Sequence, residues 1–255
     1  MKSSRSSAKA SGRHVSKSMA DQKDKTWSAD EFTARLRAIG EQSYHDQHPF
    51  HRLMNEGRLD ATAIQVWVAN RFYYQTQIPI KDAAILSNCP EREVRRVWIQ
   101  RILDHDGGRG DEGGIEKWLR LGEAVGLNRE EMLTQSRLLA GVRYAVDAYV
   151  NFCRTKPWLE AVASSLTELF APTLMAHRLS AFEQHYRWVK PNGLDYFRAR
   201  LTQAPQDSDF SLRLVLERCQ SRRSQEGSMA ALKFKCDLLW AMLDAIHLAC
   251  ILNKQ

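Results

Sequence analysis

The chain has 255 residues, 44% hydrophobic and 26% charged, with seven tryptophans, which excludes a disordered chain and allows one sizeable core. Its formal charge of +7 invites a nucleic-acid reading, but seven basic residues against Asp21 and Asp24 lie within residues 1–25, so the remainder lacks the contiguous basic face that a phosphate backbone needs. The most apolar segment, 238–252, is broken by Asp244 and His247, which excludes a membrane span, and five dispersed cysteines without a CxxC pair fit reduced thiols in a cytoplasmic protein.

Residues 1–26 are Ser/Lys-rich and read as a disordered basic tail, and residues 27–255 as one helical domain. Ser28 and Glu31 form a capping box ahead of Phe32, Leu36 and Ile39, so a first helix runs towards Tyr44 and His45 and loosens before Pro49. Asp60 caps a second helix through Trp67, Arg71, Tyr74 and Gln75 to a kink at Ile78-Pro79. A third carries Val94, Trp98, Ile99 and Ile102 and stops at His105-Asp106-Gly107-Gly108. The glycine-rich loop that follows lacks the GK[ST] ending of a phosphate loop. Helices are then expected from Ile115 to Val125, after an Asn128/Glu131 capping box, over 144–152, over 158–170, beyond Pro172, over 210–224 and over 228–252, with a turn at Pro191-Asn192-Gly193. No segment alternates as a half-buried strand, so the fold class is all-α, with seven to nine helices around one core.

Two helices carry charge in the wrong place. Leu232, Lys235, Leu239, Met242, Ile246 and Cys250 follow the three-four spacing of one buried stripe, and a lysine there must snorkel out, lose its proton or meet an anion. Trp67, Arg71, Tyr74, Gln75 and Ile78 share a face that Lys81 and Asp82 extend, either as a boundary of local ion pairs or as an anion site. Tyr196 and Arg200 form a third such pair beside Phe197. Histidines at 45, 48 and 51, and the Asp244/His247 pair, offer metal-ligand types, but Pro49 interrupts the helix that would align the first set. The residues alone thus indicate a helical binder of a small polyanion.

Several strings are more specific. Tyr44-His45-x-x-His48-Pro49-Phe50-His51, the run from Trp67 to Thr76, Ile78-Pro79-x-Lys81-Asp82, Arg101 to Gly107, Trp118 to Leu127, Ser165 to Pro172 and Phe234-Lys235-x-Asp237 strongly resemble the pyrroloquinoline quinone synthase family from about residue 28 onwards. The resemblance implies a compact seven-helix bundle of the haem-oxygenase-like kind, usually a homodimer. It further implies ring closure and O₂-dependent oxidation of a tricarboxylated quinoline precursor, releasing peroxide, with no metal and no organic cofactor.

By matching position it gives ligand-holding roles to Tyr44, Arg71, Tyr74, Gln75, Lys81, Arg178 and Lys235, catalytic acid/base roles to His45 and His105, and the oxygen pocket to Tyr196 and Arg200. One departure stands out: where the family has Ala-Pro-x-x-His-x-x-Arg, this chain has Met175, with Arg178 kept and His177 two residues along. A thioether neither relays a proton nor donates a hydrogen bond, which leaves two further readings open: a binder that oxidises slowly or only partially, and a metal-dependent oxidase on the same bundle.

Overall fold

The computed structural model describes residues 25–250 except Arg109; the expected tail, but for its last two residues, lies outside the described residues. Among the described residues the fold is entirely helical, apart from one isolated bridge between Gly108 and Asp111. It contains eleven α-helices rather than seven to nine. The surplus consists of short pieces, α2 (Pro49–Asn55), α6 (Arg129–Leu133) and α8 (Trp158–Ser164), whose caps and prolines cut longer helical patterns.

Helix α1 (Ala29–Ser43) starts at the expected box: Glu31 N–H donates to Ser28 Oγ and Ser28 N–H to the Glu31 carboxylate. After a 3₁₀ turn at His45–Gln47, His48 caps α2 by accepting from Phe50 N–H at 3.0 Å. Asp60 caps α3 (Ala61–Asn88), which continues through Pro79. Every residue from Asn70 to Gln75 is buried, as befits a helix surrounded by others, and α3 packs against α4 (Arg92–Asp106), α5 (Gly113–Ala124), α7 (Ala140–Thr155), α8 and α11 (Arg222–Cys250). Gly107, at φ 90°, stops α4, and a Cβ on Gly113 would lie 2.4 Å from the Gly107 nitrogen, so this tight reversal admits only glycine.

Asn128 caps α6 through Glu130 N–H alone, because Glu131 turns away to pair with Arg137 at 2.8 Å; the second capping box is absent. The helix expected over 158–170 divides into α8 and a 3₁₀ segment, Ser165–Leu169, before α9 (Ala171–His185). The turn at Pro191 is a short 3₁₀ helix, and α10 starts there, spanning Asp195–Arg218, not near Phe210. Its buried face runs Tyr196, Arg200, Ala204, Ser208, Ser211 and Val215 at helical spacing, but half of it is polar, which hides the stripe from a hydrophobicity pattern. Trp67, Trp118, Phe182 and Phe197 form the aromatic centre of the core, with ring centroids 5.4–6.4 Å apart. Burying each contributes roughly 1.5–3 kcal/mol.

Candidate active site

Beside that aromatic centre, α3, α4, α9, α10, α11 and the 3₁₀ segments at 45–47 and 165–169 line a small pocket with a cavity volume of about 30 Å³. Charged side chains stand on and behind its walls, and they fall into two groups.

The first group is compensated. Lys81 Nζ donates to Asp82 at 2.6 Å and to Ser165 Oγ at 3.2 Å, while Asp82 also accepts from Trp98 Nε1 at 2.9 Å. Arg101 lies 3.6 Å from Asp82, 3.7 Å from Glu168 and 3.2 Å from Asp207. Arg200 reaches Glu168 at 2.6 Å and Asp207 at 3.3 Å. Three cations thus meet three carboxylates. Burial works against ionising these groups, but the guanidiniums of Arg200 and Arg101 prevail at Glu168 and hold its carboxyl down at about 2. Burial likewise opposes the charge on Arg200, and Glu168 overcomes it, keeping the guanidinium above its ordinary range.

The second group is not compensated. Arg71, Arg178 and Lys235 are all at least nine-tenths buried, and among the described residues no carboxylate lies within ion-pair distance of any of them. The Arg71 guanidinium lies 3.9 Å over the Tyr74 ring, Nη1 finds only the Met242 sulfur at 4.0 Å, and Nε has no hydrogen bond. Arg178 donates to His51 Nε2 at 2.8 Å, faces the Met175 sulfur at 4.0 Å, and also leaves Nε unused; burial and Arg71 push it down to about 9. Lys235 Nζ donates to the Tyr74 hydroxyl at 2.8 Å above the Tyr149 ring, and burial, then Lys81 and Arg71, push it well below its ordinary value. It does not snorkel. Buried cations without counter-charges destabilise the empty protein, and an anion in the cavity relieves them.

The imidazoles are neutral. Because an arginine can only donate, His51 Nε2 is the acceptor, which leaves Nδ1–H to donate to the His45 carbonyl at 2.8 Å. Burial, then Arg178, keeps His51 well below its usual range. His105 contacts the Arg101 carbonyl through Nδ1 at 3.0 Å, so that nitrogen carries the proton and Nε2 keeps its lone pair. Burial and Arg200 push His105 down to about 4. His45 is pushed well down by burial and then by His51 and Arg71, and its Nδ1 has no hydrogen bond. Two neutral bases with uncommitted nitrogens thus face a cationic cavity, an arrangement that accepts protons from a bound anion.

Of the residues singled out in the sequence, Tyr44, His45, Arg71, Tyr74, His105, Tyr196 and Arg200 line the cavity. Gln75, Arg178 and Lys235 stand one contact behind: Gln75 accepts from the Tyr196 hydroxyl at 2.9 Å, leaving its Nε2 without a partner. Lys81 lies off the wall, within the compensated network. Thr167 and Glu168 also line the cavity and were not singled out, although both sit in a family-matching string. Arg101 had a signal too, since Val94, Trp98, Arg101 and His105 form one helical stripe; Asp207 had none. Met175 is on the wall, and His177 is exposed on the opposite side of α9. His48 lies elsewhere, donating to Asp244 at 3.0 Å. Among the described residues no three His, Cys, Asp or Glu side chains converge as metal ligands.

Residues 33–245 match the family described as TENA/THI-4/PQQC. The pyrroloquinoline-quinone synthase of Ectopseudomonas mendocina is 59% identical over 88% of this chain and 89% of its own, and that of Pseudomonas aeruginosa is 57% identical over the same shares. Among solved structures, a domain of unknown function with a heme oxygenase-like fold from Shewanella denitrificans superposes with a TM-score of 0.70 at 13% identity, covering 89% of this chain and 93% of its own. A TenA homolog from Pseudomonas syringae pv. tomato does so with a TM-score of 0.69 at 13% identity, covering 84% and 92%. These two likenesses establish the fold alone: an all-α, haem-oxygenase-like bundle.

Proposed function

The chain belongs to the TENA/THI-4/PQQC family, and on that footing we propose that it is a pyrroloquinoline-quinone synthase, the oxidase that completes the quinone by closing a ring and oxidising a tricarboxylated quinoline precursor with O₂. The observation that carries this reading is the set of three buried cations, Arg71, Arg178 and Lys235, without carboxylate partners among the described residues, beside neutral His45 and His105. Guanidiniums match carboxylates in two-point hydrogen bonds, and a lysine supplies a point charge. Gln75 Nε2 and the Arg71 and Arg178 Nε–H groups, buried without hydrogen-bond partners, are further donors for a ligand rich in acceptors. Tyr44 and Tyr74 border the same space and offer aromatic surface to a planar heterocycle.

Each oxidation removes two electrons and two protons from the ring system and delivers them to O₂ as hydrogen peroxide. His105 Nε2 and His45 Nδ1 take protons from the substrate. Arg200, held above its ordinary range by Glu168, supplies fixed positive charge where reduced oxygen accumulates, and Tyr196, its hydroxyl donating to Gln75, borders the same pocket. The electrons come from the substrate, so the step requires neither a metal nor an organic cofactor. A wall carrying Arg71 and Arg200, whose one carboxylate, Glu168, is committed to Arg200, is also poorly suited to a metal cation. A homodimer in the cytoplasm belongs to the same reading, and sedimentation checks its assembly.

The deciding experiment mixes chelator-treated protein with the precursor without oxygen and then admits air. Quinone absorbance should develop after aeration; turnover that disappears and returns only with iron would overturn the reading.

A further inference from the structure

Among the described residues Met175 is the one methionine on the cavity wall, 6% exposed, in a site where the proposed reaction generates hydrogen peroxide. Its sulfur lies 4.0 Å from Nη1 of Arg178, whose other contacts are His51 and the Trp67 face and whose Nε has no acceptor. Thioether oxidation by peroxide needs a sulfur the oxidant can reach and a hydrogen-bond donor for the departing oxygen, and both are present here. Met242 is an internal control. Its sulfur is also 4.0 Å from an arginine nitrogen, Nη1 of Arg71, but it does not line the cavity.

We propose that Met175 is a self-modification site, converted to the sulfoxide by the hydrogen peroxide formed beside it. A sulfur lone pair attacks the nearer peroxide oxygen and the O–O bond breaks. The departing oxygen carries the bonding pair and takes up the attacked oxygen's proton, relayed along the Arg178 edge. Methionine and H₂O₂ thereby become methionine sulfoxide and water: the sulfur loses two electrons and the peroxide gains them. The sulfoxide oxygen is a strong acceptor directed at the carboxylate-free guanidinium of Arg178, so it competes with the substrate's carboxylates for that donor. Turnover therefore slows as product accumulates. The inference rests on the proposed oxidase function only for the source of the peroxide.

Peptide mass mapping after aerobic turnover with the precursor, with catalase in the bulk solution, should show the gain of one oxygen atom at Met175 at least roughly tenfold ahead of Met242. Loss of rate should track that gain, and Met175→Leu should abolish both the gain and the progressive slowing. Unmodified Met175 after many turnovers, or equal oxidation at both methionines, overturns the proposal. If no quinone forms, the function is what fails, and dilute hydrogen peroxide added to the resting protein still decides the matter: Met175 must again be oxidised ahead of Met242.

Discussion

Replacing Lys235 by methionine should make the empty protein more stable and the loaded one weaker. The amine is 1% exposed, makes one hydrogen bond, to Tyr74, and has no carboxylate partner. Exchanging a buried charged group for an apolar one of similar length typically stabilises by about 1–4 kcal/mol, and the lost hydrogen bond subtracts about 1 kcal/mol. A net gain of up to about 3 kcal/mol raises Tm by up to about 12 °C in a chain of this size.

The sign with pH is fixed by burial. The unfolded amine holds its proton up to its ordinary value of 10.5, whereas the folded one has released it well below, so the unfolded state binds more protons in between and stability of the natural protein rises with pH across that window. The advantage of Lys235→Met should therefore be largest near neutrality and vanish towards pH 10. Binding of the quinone should weaken by about 10- to 150-fold, the equivalent of one charge-assisted hydrogen bond of about 1.5–3 kcal/mol. Scanning calorimetry from pH 6 to 10 and titration with the quinone measure both arms. A variant that is less stable at pH 7, or that binds the quinone unchanged, would show that Tyr74 and Tyr149 already satisfy the ammonium and that the cationic triad is not an anion site.

His105, pushed from 6.5 to about 4 by burial and Arg200, contributes stability that is complete above 6.5 and is lost as pH falls towards 4; the swing is about 3 kcal/mol, and His105→Asn should flatten urea midpoints over that range. Asp82→Asn removes the carboxylate shared by Lys81 and Arg101, should cost about 3–5 kcal/mol in denaturant unfolding, and would contradict the charge pairing described above if the loss stayed under about 1 kcal/mol. In Gly40→Ala the new Cβ would stand 1.9 Å from the end of the Phe170 ring, which itself packs on Tyr44 at 5.3 Å; Tm should drop by the equivalent of about 1–3 kcal/mol and quinone affinity should fall with it, as parallel melts and titrations would reveal.

The fold class was legible in the sequence because caps and three-four stripes are local: Ser28, Asp60 and Gly107 do at their helix ends what their types imply. The start of α10 was illegible for the opposite reason, since Tyr196, Arg200, Ser208 and Ser211 on its buried face are polar: Tyr196 and Arg200 find partners on other elements, and the two serines bond back to the Pro205 and Asp207 carbonyls of the helix itself. Misplaced charge located much of the site. A lysine or arginine on an apolar stripe is visible without a structure, as with Lys235 and Arg71. What the stripe cannot show is which cation finds a carboxylate: Lys81 and Arg71 look alike in the chain, yet Asp82 neutralises the first and nothing among the described residues neutralises the second. Asp207 escaped because it lies 106 positions from Arg101, and only packing of α10 on the 3₁₀ segment and α4 unites them.

Helix α3 carries Arg71, Tyr74 and Gln75 on one side of Pro79 and Lys81 and Asp82 on the other. Proline has no N–H, so the bond that would close onto the Gln75 carbonyl does not form, and a bend at that turn breaks no intrahelical hydrogen bond. Elsewhere on α3 a bend sacrifices one. The most enclosed beam of the bundle thus has its compliance concentrated between the residues that face an incoming anion and those anchored in the ion network. Arg71 and Gln75 can be drawn towards a ligand while Lys81 and Asp82 stay fixed, and accommodation is confined to a single turn instead of being spread through the packing.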